Sequence, residues 1–302
     1  MKQDKLFSLL LKCITVLSFS ILALMILSFA IKSSLVISKS GIEVLTRTEW
    51  IPSKNIFGVL GPAYGTLVTT FIALILAAPF CMGIAFSVVE VFPKRLSALI
   101  TLAIDIMAGI PSIIFGMWAL FFLSPLILHY VEVPLFSYLQ GYELENYFFD
   151  GEPTGLGLFT TAIILAIMIL PYITLVLVEA FRSVPSLLRE SAYGLALYKY
   201  EYIFHILLPY TKKAILGAFI LGCARALGET MAVTFVIGYS NIFSPSIFGP
   251  GTSLTSTLAN EFGEALDGEH ISALIFLGLI LFLISICVIS LGKVLVKMKT
   301  KT

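Results

Sequence analysis

The stretch AILGAFILGCARALGETMAVTFVIGYS, Ala214–Ser240, is apolar apart from two opposite charges near its middle. Lys213 precedes it, and Arg225 lies about 18 Å further along a helix that rises about 1.5 Å per residue. That distance predicts a position near the centre of a hydrocarbon layer about 30 Å thick. Glu229 follows four residues later, so a continuous helix would place both side chains on one face. The stretch therefore predicts a membrane-spanning helix with an ion pair in its interior.

Two interpretations of this pair remain open. In the first, Arg225 and Glu229 neutralise each other and lower the cost of insertion, which is about 2.5–3.5 kcal/mol for one arginine. In the second, they form a polar station on a solute pathway, where the guanidinium binds an anion and the carboxylate holds the guanidinium in place. Charges at this depth usually serve a function, which favours the second interpretation.

The composition of the whole chain is typical of a polytopic membrane protein. Of its 302 residues, 59% are hydrophobic and 12% are charged, whereas soluble domains carry about 25% charged residues. The four cysteines and three histidines are far apart and lack metal-ligand spacing. Neither a disulfide framework nor a metal site is therefore expected. We expect an all-α polytopic membrane protein.

Six apolar stretches are long enough to cross a membrane. The first, which ends at Ile31, is longer than the apolar core of a signal peptide and has no small-residue cleavage site after it. We therefore interpret it as an uncleaved span. A polar loop, Lys32–Gly61, is predicted to follow. The other predicted spans are Thr66–Val89, Ser97–Leu123, Gly155–Val178, Ala214–Ser240 and Ile271–Val296.

The distribution of charge between these spans predicts their orientation. Lysine and arginine collect at both termini, at Lys94–Arg95 and in the segment Arg182–Lys213. The loops Ser124–Thr154 and Asn241–His270 hold acidic residues and neither lysine nor arginine. Because positive loops stay in the cytoplasm, both termini are predicted to be cytoplasmic and these two loops external. Lys32–Gly61 is an exception, since it carries four basic residues on the predicted outer side.

The two predicted external loops contain enough hydrophobic residues to fold. Ser124–Thr154 is rich in aromatic residues and is expected to pack as a small cap. In Asn241–His270, four apolar residues recur at near-helical spacing: Leu254, Leu258, Phe262 and Ala265. This spacing predicts a short amphipathic helix at the outer surface, which either packs on the rim of the protein or docks a partner.

The segment Arg182–Lys213, RSVPSLLRESAYGLALYKYEYIFHILLPYTKK, is too charged to cross the membrane and too rich in helix formers to be an irregular loop. Pro185 suits the first turn of one helix, and Pro209 is predicted to end another before the fifth span. A turn at Gly194–Ala196 would join the two helices. Residues 185–209 are therefore predicted to project into the cytoplasm as a helical knob.

Within this knob, Glu190-Ser191-Ala192 followed at the right distance by Leu208-Pro209 resembles the coupling motif of ABC importer permeases. In that family the motif docks into a groove on the ATPase subunit. The resemblance implies this role for Glu190, Ser191, Ala192, Gly194, Ala196, Leu208 and Pro209. The sequence departs from the motif at Ser191, where alanine is usual, and at Ala196, where glycine is expected and Gly194 lies two residues earlier.

Three other stretches narrow the resemblance. ARALGETMAV at Ala224–Val233, AGIPS at Ala108–Ser112 and ANEFGEA at Ala259–Ala265 are similar to the PstC-type permeases of phosphate-specific transport systems. The similarity runs from about Tyr64 to the sixth span. It implies a type I ABC importer permease fold, with residues 1–62 as an N-terminal helix and external loop and residues 63–302 as the permease core.

The resemblance also implies partners for the chain in the lipid bilayer. These are a sister permease of the PstA type, two copies of an ABC ATPase and an external phosphate-binding protein. The chain has no G-x-x-x-x-G-K-[ST] phosphate loop, so ATP would bind to the partner ATPase. We therefore expect a transport subunit without its own cofactor or enzymatic activity, and no nucleic-acid partner.

The expected substrate pathway involves three charged residues. The guanidinium of Arg225 has a fork of N–H donors that matches the oxygens of phosphate. Glu229 and Asp105 would prevent Arg225 from trapping the anion permanently, because a transport site must release as well as bind. Sulfate or molybdate would suit the same fork. An intramembrane enzyme that uses Asp105 and Glu229 as an acid–base pair, and a structural or sensory subunit without a pathway, also remain open.

Overall fold

The structure of the protein, a computed structural model, describes residues 2–140, 148–149, 151–240 and 242–298. Within these ranges six helical stretches are long and apolar enough to cross a membrane, which confirms the predicted number of spans. They are Leu6–Ser40, Leu60–Val91, Ser112–Leu139, Leu158–Arg182, Lys199–Leu227 and Gly268–Val294.

The chain is almost entirely helical. Within the described residues, the helices with defined bounds are, in chain order, α1 (Lys2–Lys32), α2 (Ser34–Ser40), α3 (Glu43–Thr46), α4 (Leu60–Phe86), α5 (Lys94–Gly109), α6 (Ser112–Trp118), α7 (Ser124–Ile127), α8 (Val133–Leu139), α9 (Leu158–Arg182), α10 (Ser186–Gly194), α11 (Lys199–Tyr202), α12 (Leu208–Leu227), α13 (Met231–Val236), α14 (Leu254–Glu261) and α15 (Gly268–Met298). Strands β1 (Trp50–Ile51) and β2 (Ile56–Phe57) form a short antiparallel hairpin. Wider π-helical turns lie at Ser87–Val91, Ala119–Leu123, Leu128–Glu132 and Ile203–Leu207.

Helix α9 lies at the centre of the fold, in contact with α4, α5, α12 and α13. The face of α4 that packs on it carries small buried residues at every fourth position: Ala73, Ala77, Cys81 and Ala85. Small side chains let membrane helices approach closely, so that dispersion contacts can stabilise the pair. Gly222 gives α12 the same access, because Ile173 of α9 fills the space that a larger side chain would need.

The third predicted span, Ser97–Leu123, is not one helix. Helix α5 ends at Gly109 and α6 begins at Ser112. The break follows from Pro111, which lacks a backbone N–H and disfavours helical geometry at the residue before it. The predicted span is therefore wrong in continuity, and the stretch long enough to cross a membrane begins at Ser112 and ends at Leu139 instead.

The two halves of this broken span run antiparallel to α9. Lys94, at the start of α5, lines the same cavity as Arg182 at the end of α9. At the other end, Ser124 lies against Gly155, shortly before α9 begins. The break after Gly109 lies about halfway between Lys94 and Ser124, so it falls near the middle of α9.

The fifth predicted span, Ala214–Ser240, is also broken. Helix α12 ends at Leu227, and α13 begins only at Met231. The prediction that Arg225 and Glu229 lie on one continuous helix is therefore wrong, because Glu229 lies in the break. Helix α13 packs against α6, α9 and α14, so the second half of this span is buried within the protein.

The predicted polar loop Lys32–Gly61 is a packed structure. It contains α2, α3 and the β1–β2 hairpin, in which Trp50 pairs with Phe57. Both aromatic side chains are buried against α15, together with Val36 and Val44. The polar composition of this segment reflects its outer surface, while its apolar residues fix it to the last span.

The external loops also differ from the predictions. Most of Ser124–Leu139 is helical, as α7, α8 and the π-helical turn between them, so the loop begins later than predicted. Part of the predicted aromatic cap, residues 141–147 and 150, lies outside the described residues, as does residue 241. The predicted helix in the second loop forms as α14, but Leu254, Ser256 and Thr257 are fully buried. Helix α14 therefore does not lie on the outer surface.

Candidate functional site

The guanidinium of Arg225 contacts the carboxylate of Glu229 across the break in the fifth span. An Arg225 Nη1–H donates to Glu229 Oε2, so the predicted ion pair forms although the predicted continuous helix does not. The two side chains differ in exposure: 3% for Glu229 and 35% for Arg225. The carboxylate is therefore enclosed by the protein, whereas the guanidinium retains a free surface toward a neighbouring molecule.

The break places these charges at helix ends that suit them. Arg225 is in the last turn of α12, where the unpaired carbonyl groups favour a cation. Glu229 lies just before α13, and the backbone N–H of Ala232 donates to its Oε1 at 3.5 Å. The N-terminal end of a helix favours an anion. The interruption of the helix therefore stabilises the ion pair as well as exposing backbone groups.

The unwound backbone at Glu229 is covered by α14. The hydroxyl of Thr255 donates to the carbonyl oxygen of Glu229 at 2.8 Å. The N–H of Leu254 in turn donates to the hydroxyl of Thr66 on α4 at 2.9 Å. Irregular backbone at membrane depth must find such partners, because lipid offers none. The buried hydroxyl groups of α14 thus support the break, and this explains why that helix inserts into the bundle.

Tyr172 connects the two helix breaks. The Arg225 Cζ lies 5.6 Å from the centre of the Tyr172 ring, within the range of a cation–π contact. The Tyr172 hydroxyl donates to the carbonyl oxygen of Ala108 at 2.8 Å, two residues before Ile110. On the far side of both breaks, Gly116 of α6 packs directly against Ala232 of α13. One cluster therefore unites the breaks of the third and fifth spans.

Asp105 is not part of this cluster. It lies on α5 one turn before Ala108, and its side chain is exposed. Within the described residues it makes no hydrogen bond or ion pair with Arg225 or any other side chain. The structure thus brings together two of the three predicted pathway residues and leaves Asp105 on the surface of the chain.

The predicted knob has one of its two helices as expected. Helix α10 carries Glu190, Ser191 and Ala192; the first two are exposed and Ala192 is buried. After Gly194 the chain turns at Ala196, whose φ of +60° lies in the left-handed region that favours glycine. Ala196 therefore occupies the conformation for which the motif expects glycine, and Gly194 is helical.

Pro209 does not end a helix, contrary to the prediction. Helix α11, the π-helical turn Ile203–Leu207 and α12 form one continuous stretch, Lys199–Leu227, and Leu208 and Pro209 lie in the first turn of α12. A proline is tolerated in the first turn of a helix, and the wider turn before it accommodates the missing hydrogen bond. The second helix of the knob is thus the beginning of the fifth span.

A family model described as "Binding-protein-dependent transport system inner membrane component" matches residues 80–301, which include both helix breaks and the knob. The chain belongs to this family. Like its members, it is a multi-pass membrane component of a transport system, and the predicted ABC importer permease fold is confirmed.

Two relatives of this transport component have closely similar sequences. The "Phosphate transport system permease protein PstC" of Pasteurella multocida (strain Pm70) is 45% identical over 259 residues, 86% of this chain and 81% of the relative. The protein of the same name from Haemophilus influenzae (strain ATCC 51907 / DSM 11121 / KW20 / Rd) is 41% identical over 286 residues, 95% of this chain and 90% of the relative. The predicted similarity to PstC-type permeases is confirmed.

Among solved structures, a chain of the MetNI methionine ABC transporter in an inward-facing conformation resembles this transport component. The TM-score is 0.56 at 14% identity, and the match covers 86% of this chain and 98% of that chain. At this identity the likeness concerns the fold alone. It agrees with the predicted type I importer permease fold.

The sequence did not single out the residues that fasten the knob of this transport component. Glu90, at the end of the second membrane stretch, pairs with Arg189 of α10 at 2.5 Å, and its side chain is only 4% exposed. Lys199 Nζ donates to the backbone carbonyl oxygen of Glu90 at 3.4 Å. The sequence signal for Glu90 was a lone carboxylate at the end of an apolar run, just before the basic turn Lys94–Arg95. The knob is thereby fixed to the π-helical turn Ser87–Val91, which follows α4.

The free face of the same knob is apolar. Leu187, Leu195 and Tyr198 are 71%, 78% and 69% exposed, on α10 and in the turn that follows it. Glu190 and Ser191 lie on the exposed part of α10 between these residues. Exposed apolar side chains beside charged residues are typical of a protein interface. Docking of an ATPase on this face stays a prediction.

Another buried carboxylate, Glu261, connects several elements at the end of this transport component that lies opposite the knob. Glu261 accepts hydrogen bonds from Trp50 Nε1 at 2.6 Å and from the Tyr239 hydroxyl, and it lies 2.8 Å from His270 Nε2. Burial and the neighbouring Glu261 carboxylate raise the pKa of Tyr239. Glu261 thus joins the N-terminal hairpin, the chain after α13 and the last span.

Proposed function

We propose that this chain is the transmembrane permease subunit of an ATP-driven ABC importer that takes up inorganic phosphate from an external binding protein. The observation that carries the proposal is the cluster of Arg225, Glu229 and Tyr172 at two facing helix breaks. The names of the relatives, phosphate transport system permeases, agree with an anion as the substrate. Broken helices near the middle of the membrane are a common architecture for solute sites in transporters.

Arg225 performs the central task of this proposal. Moving phosphate into a region of low dielectric removes its water, which is costly unless fixed donors replace that water. A guanidinium offers several N–H donors in one plane and can bind two phosphate oxygens at once. Its exposure of 35% leaves donors available, because only one Nη is engaged with Glu229. The ring of Tyr172 restricts the guanidinium from one side.

Glu229 limits how strongly the site holds the anion. Its carboxylate competes with phosphate for the guanidinium, so Arg225 exchanges one anionic partner for another and is never left unpaired. A conduction site must bind weakly enough to release its ion. The N–H of Ala232 and the hydroxyl of Thr255 hold the Glu229 residue in place during this exchange. The Arg225–Glu229 ion pair and the guanidinium bound to phosphate are thus two states of one site.

The partners follow from the family and from two surfaces. Membership of the family implies an ATPase and a binding protein. We propose that the complex holds two ATPase copies and that one of them docks on the apolar face of this knob. We also propose that a sister permease of the PstA type completes the pathway opposite Arg225, and that the binding protein meets the side where Glu261 lies. This arrangement takes the basic segment 182–213 as cytoplasmic, as the charge distribution predicts.

Substrate uptake by the reconstituted complex tests the proposal. The complex of both permeases and the ATPases, in liposomes with the binding protein outside, should take up labelled phosphate when ATP is inside. Unlabelled phosphate and arsenate should compete with the label, whereas sulfate and molybdate should not. Competition by sulfate or molybdate at equal concentration would favour the runner-up, the same machine for another oxyanion. No uptake of any of these ions with an active ATPase would overturn the proposal.

A further inference from the structure

A groove between α12 and α15 opens at the periphery of the helix bundle. Its volume is about 520 Å³, and the residues that line it include Lys213, Gly217, Leu221, Ala224, Ile289 and Lys293. The residues from α12 follow each other at intervals of three or four, so they form one stripe along that helix. Apolar residues line the body of the groove, and the two lysines lie at one end of it.

We propose that this groove binds one anionic phospholipid of the cytoplasmic leaflet, with the headgroup phosphate on Lys213 and Lys293 and one acyl chain along the stripe. The proposal uses the orientation predicted from loop charge and is independent of the transported substrate. It concerns the lipid-facing side of α12, in contrast to the side that carries the Arg225–Glu229 pair.

The dimensions of the groove fit half of a bilayer. From Lys213 to Ala224 the helix rises about 16 Å, since each residue adds about 1.5 Å. The hydrocarbon core is about 30 Å thick, so one leaflet is about 15 Å deep. An acyl chain that starts at the lysines would therefore end at Ala224, next to Arg225. Leu221 of α12 is 51% exposed and Val294 of α15 is 50% exposed, so the acyl chain would cover apolar surface on both helices.

The charge at the mouth of the groove selects the class of lipid. The cytoplasmic leaflet carries a negative surface potential, and basic pockets between membrane helices on that side bind anionic headgroups. Lysine suits this task because its flexible stem can lie along the apolar groove while its ammonium reaches the interface. A zwitterionic lipid would satisfy the apolar stripe equally well and would gain little from the two lysines.

Gly217 keeps the groove open. A Cβ atom at this position would have no neighbouring atom within 4 Å, so the space directly beside Gly217 is empty of protein. By contrast, Gly292 of α15 touches Ile220, and there the helices α12 and α15 cross in close contact. The groove thus lies beside a tight helix crossing. It stays open because Gly217 has no side chain to fill it.

Photolabelling of the whole complex tests the proposal. The transporter, with both permeases and the ATPases, is placed in phosphatidylcholine nanodiscs that contain a trace of phosphatidylglycerol with a diazirine in its acyl chain. Labels should map to α12 and α15 near Leu221 and Ile289, and unlabelled phosphatidylglycerol should compete while added phosphatidylcholine should not. Equal competition by both lipids, or labels confined to other helices, would overturn the proposal.

Two variants with matched controls separate charge from shape. K213Q with K293Q should weaken phosphatidylglycerol binding about 25-fold, because each lysine contributes about a factor of five. The control K212Q with K94Q removes the same charge elsewhere and should leave the labelling unchanged. G217L should abolish labelling by filling the groove, whereas G83L, at another glycine with open space beside it, should not. Equal losses in variant and control would contradict the assignment.

The remaining possibility is that protein covers the groove. A cysteine at Leu221 should not cross-link to the sister permease in the assembled complex. An efficient cross-link there would assign the groove to a subunit contact and overturn the lipid site. Phosphate uptake by the same variants is a separate readout, so failure of the lipid site and failure of the transport function can be distinguished.

Discussion

The ring of Tyr172 lies 5.6 Å from the Arg225 guanidinium, while its hydroxyl donates to Ala108 at the break in the third span. One side chain of the central helix α9 thus touches the charged residue of one broken span and the backbone of the other. The neighbouring Pro171 leaves α9 itself helical through this region. Tyr172 therefore connects the two halves of the site through a single residue of α9.

Substitution of Arg225 tests its role as the phosphate ligand. R225K should be a poor substitute, because an ammonium keeps the charge and loses the bidentate fork. R225Q should lose uptake more completely while the subunits still assemble. E229Q should assemble and turn over more slowly, since Arg225 then has no counter-charge when the anion leaves. The measurements are phosphate uptake and subunit recovery.

The double variant R225Q with E229Q separates the two interpretations of the pair. If the two charges merely neutralise each other, each single variant should hurt assembly. Both charges can then be removed together, so the double variant should recover assembly and transport. The pathway interpretation expects normal assembly in both single variants and in the double variant, with transport still absent in the double variant. Full uptake by the double variant would therefore remove Arg225 as a phosphate ligand.

Substitution of Tyr172 separates its ring from its hydroxyl. Y172F keeps the ring against Arg225 and loses one hydrogen bond worth about 1 kcal/mol, so uptake should fall about fivefold with normal assembly. Y172L loses both contacts and should fall further, by at least another tenfold, since a desolvated cation–π contact is worth about 2 kcal/mol. Y64F, which also loses a tyrosine hydrogen bond to a carbonyl, serves as the control and should transport normally. Equal uptake by Y172F and Y172L would contradict a role for the ring.

Coupling should depend on the exposed face of α10. E190K should leave the complex in the membrane and uncouple ATP hydrolysis from uptake, because a lysine reverses the charge of the predicted docking surface. The matched control E179K reverses an exposed charge at the end of α9 outside that face and should stay coupled. A cysteine at Ser191 should cross-link to the ATPase. Normal uptake without any cross-link would contradict the docking surface.

The turn after α10 should tolerate, and prefer, glycine. A196G relieves a left-handed conformation that costs an alanine about 1–2 kcal/mol, so the thermal midpoint of the complex should rise or the turn should resist proteolysis longer. A196V should destabilise the turn, since a β-branched residue fits that region still less well. G194A provides the control at a helical position, where alanine is favoured by about 1 kcal/mol. Loss of stability in A196G would contradict the observed backbone geometry.

The orientation of the chain can be tested by labelling of single cysteines. In a background without the native four cysteines, one is placed at Glu152 and another at Ser186, both of which are exposed. An impermeant thiol reagent added outside should label the first and not the second. Labelling of both from outside would contradict the predicted cytoplasmic location of the knob.

The sequence contained enough information to predict the number of spans, because long apolar runs and their basic flanks follow directly from the bilayer as a solvent. The two helix breaks were harder to predict. Hydropathy does not depend on backbone geometry, so Ser97–Leu123 and Ala214–Ser240 read as continuous helices. Pro111 and Gly228 were visible signals for the breaks, yet proline and glycine also occur within intact membrane helices. Pro79 and Pro171 are such cases here.

The residues around the predicted pair were only partly predictable. Arg225 and Glu229 stand out because charge is rare at membrane depth. Tyr172 does not, since an aromatic residue in an apolar span is ordinary, and its role depends on where α9 lies. Glu90 and Arg189 are distant in sequence, and their pairing needed the tertiary structure. The interpretation of Pro209 as a helix end failed because the π-helical turn before it, Ile203–Leu207, leaves no sequence signal that we can name.

The continuity of Lys199–Leu227 has a mechanical consequence. This stretch holds 29 residues and is about 43 Å long, with the knob at one end and Arg225 in the last turn at the other. A rod of that length acts as a lever: a tilt of about 10° at the knob would carry its far end through about 7 Å. That displacement exceeds the length of a hydrogen bond. A small rotation imposed by an ATPase on the knob would therefore suffice to bring the guanidinium to an anion or withdraw it, without unfolding any part of the helix between them.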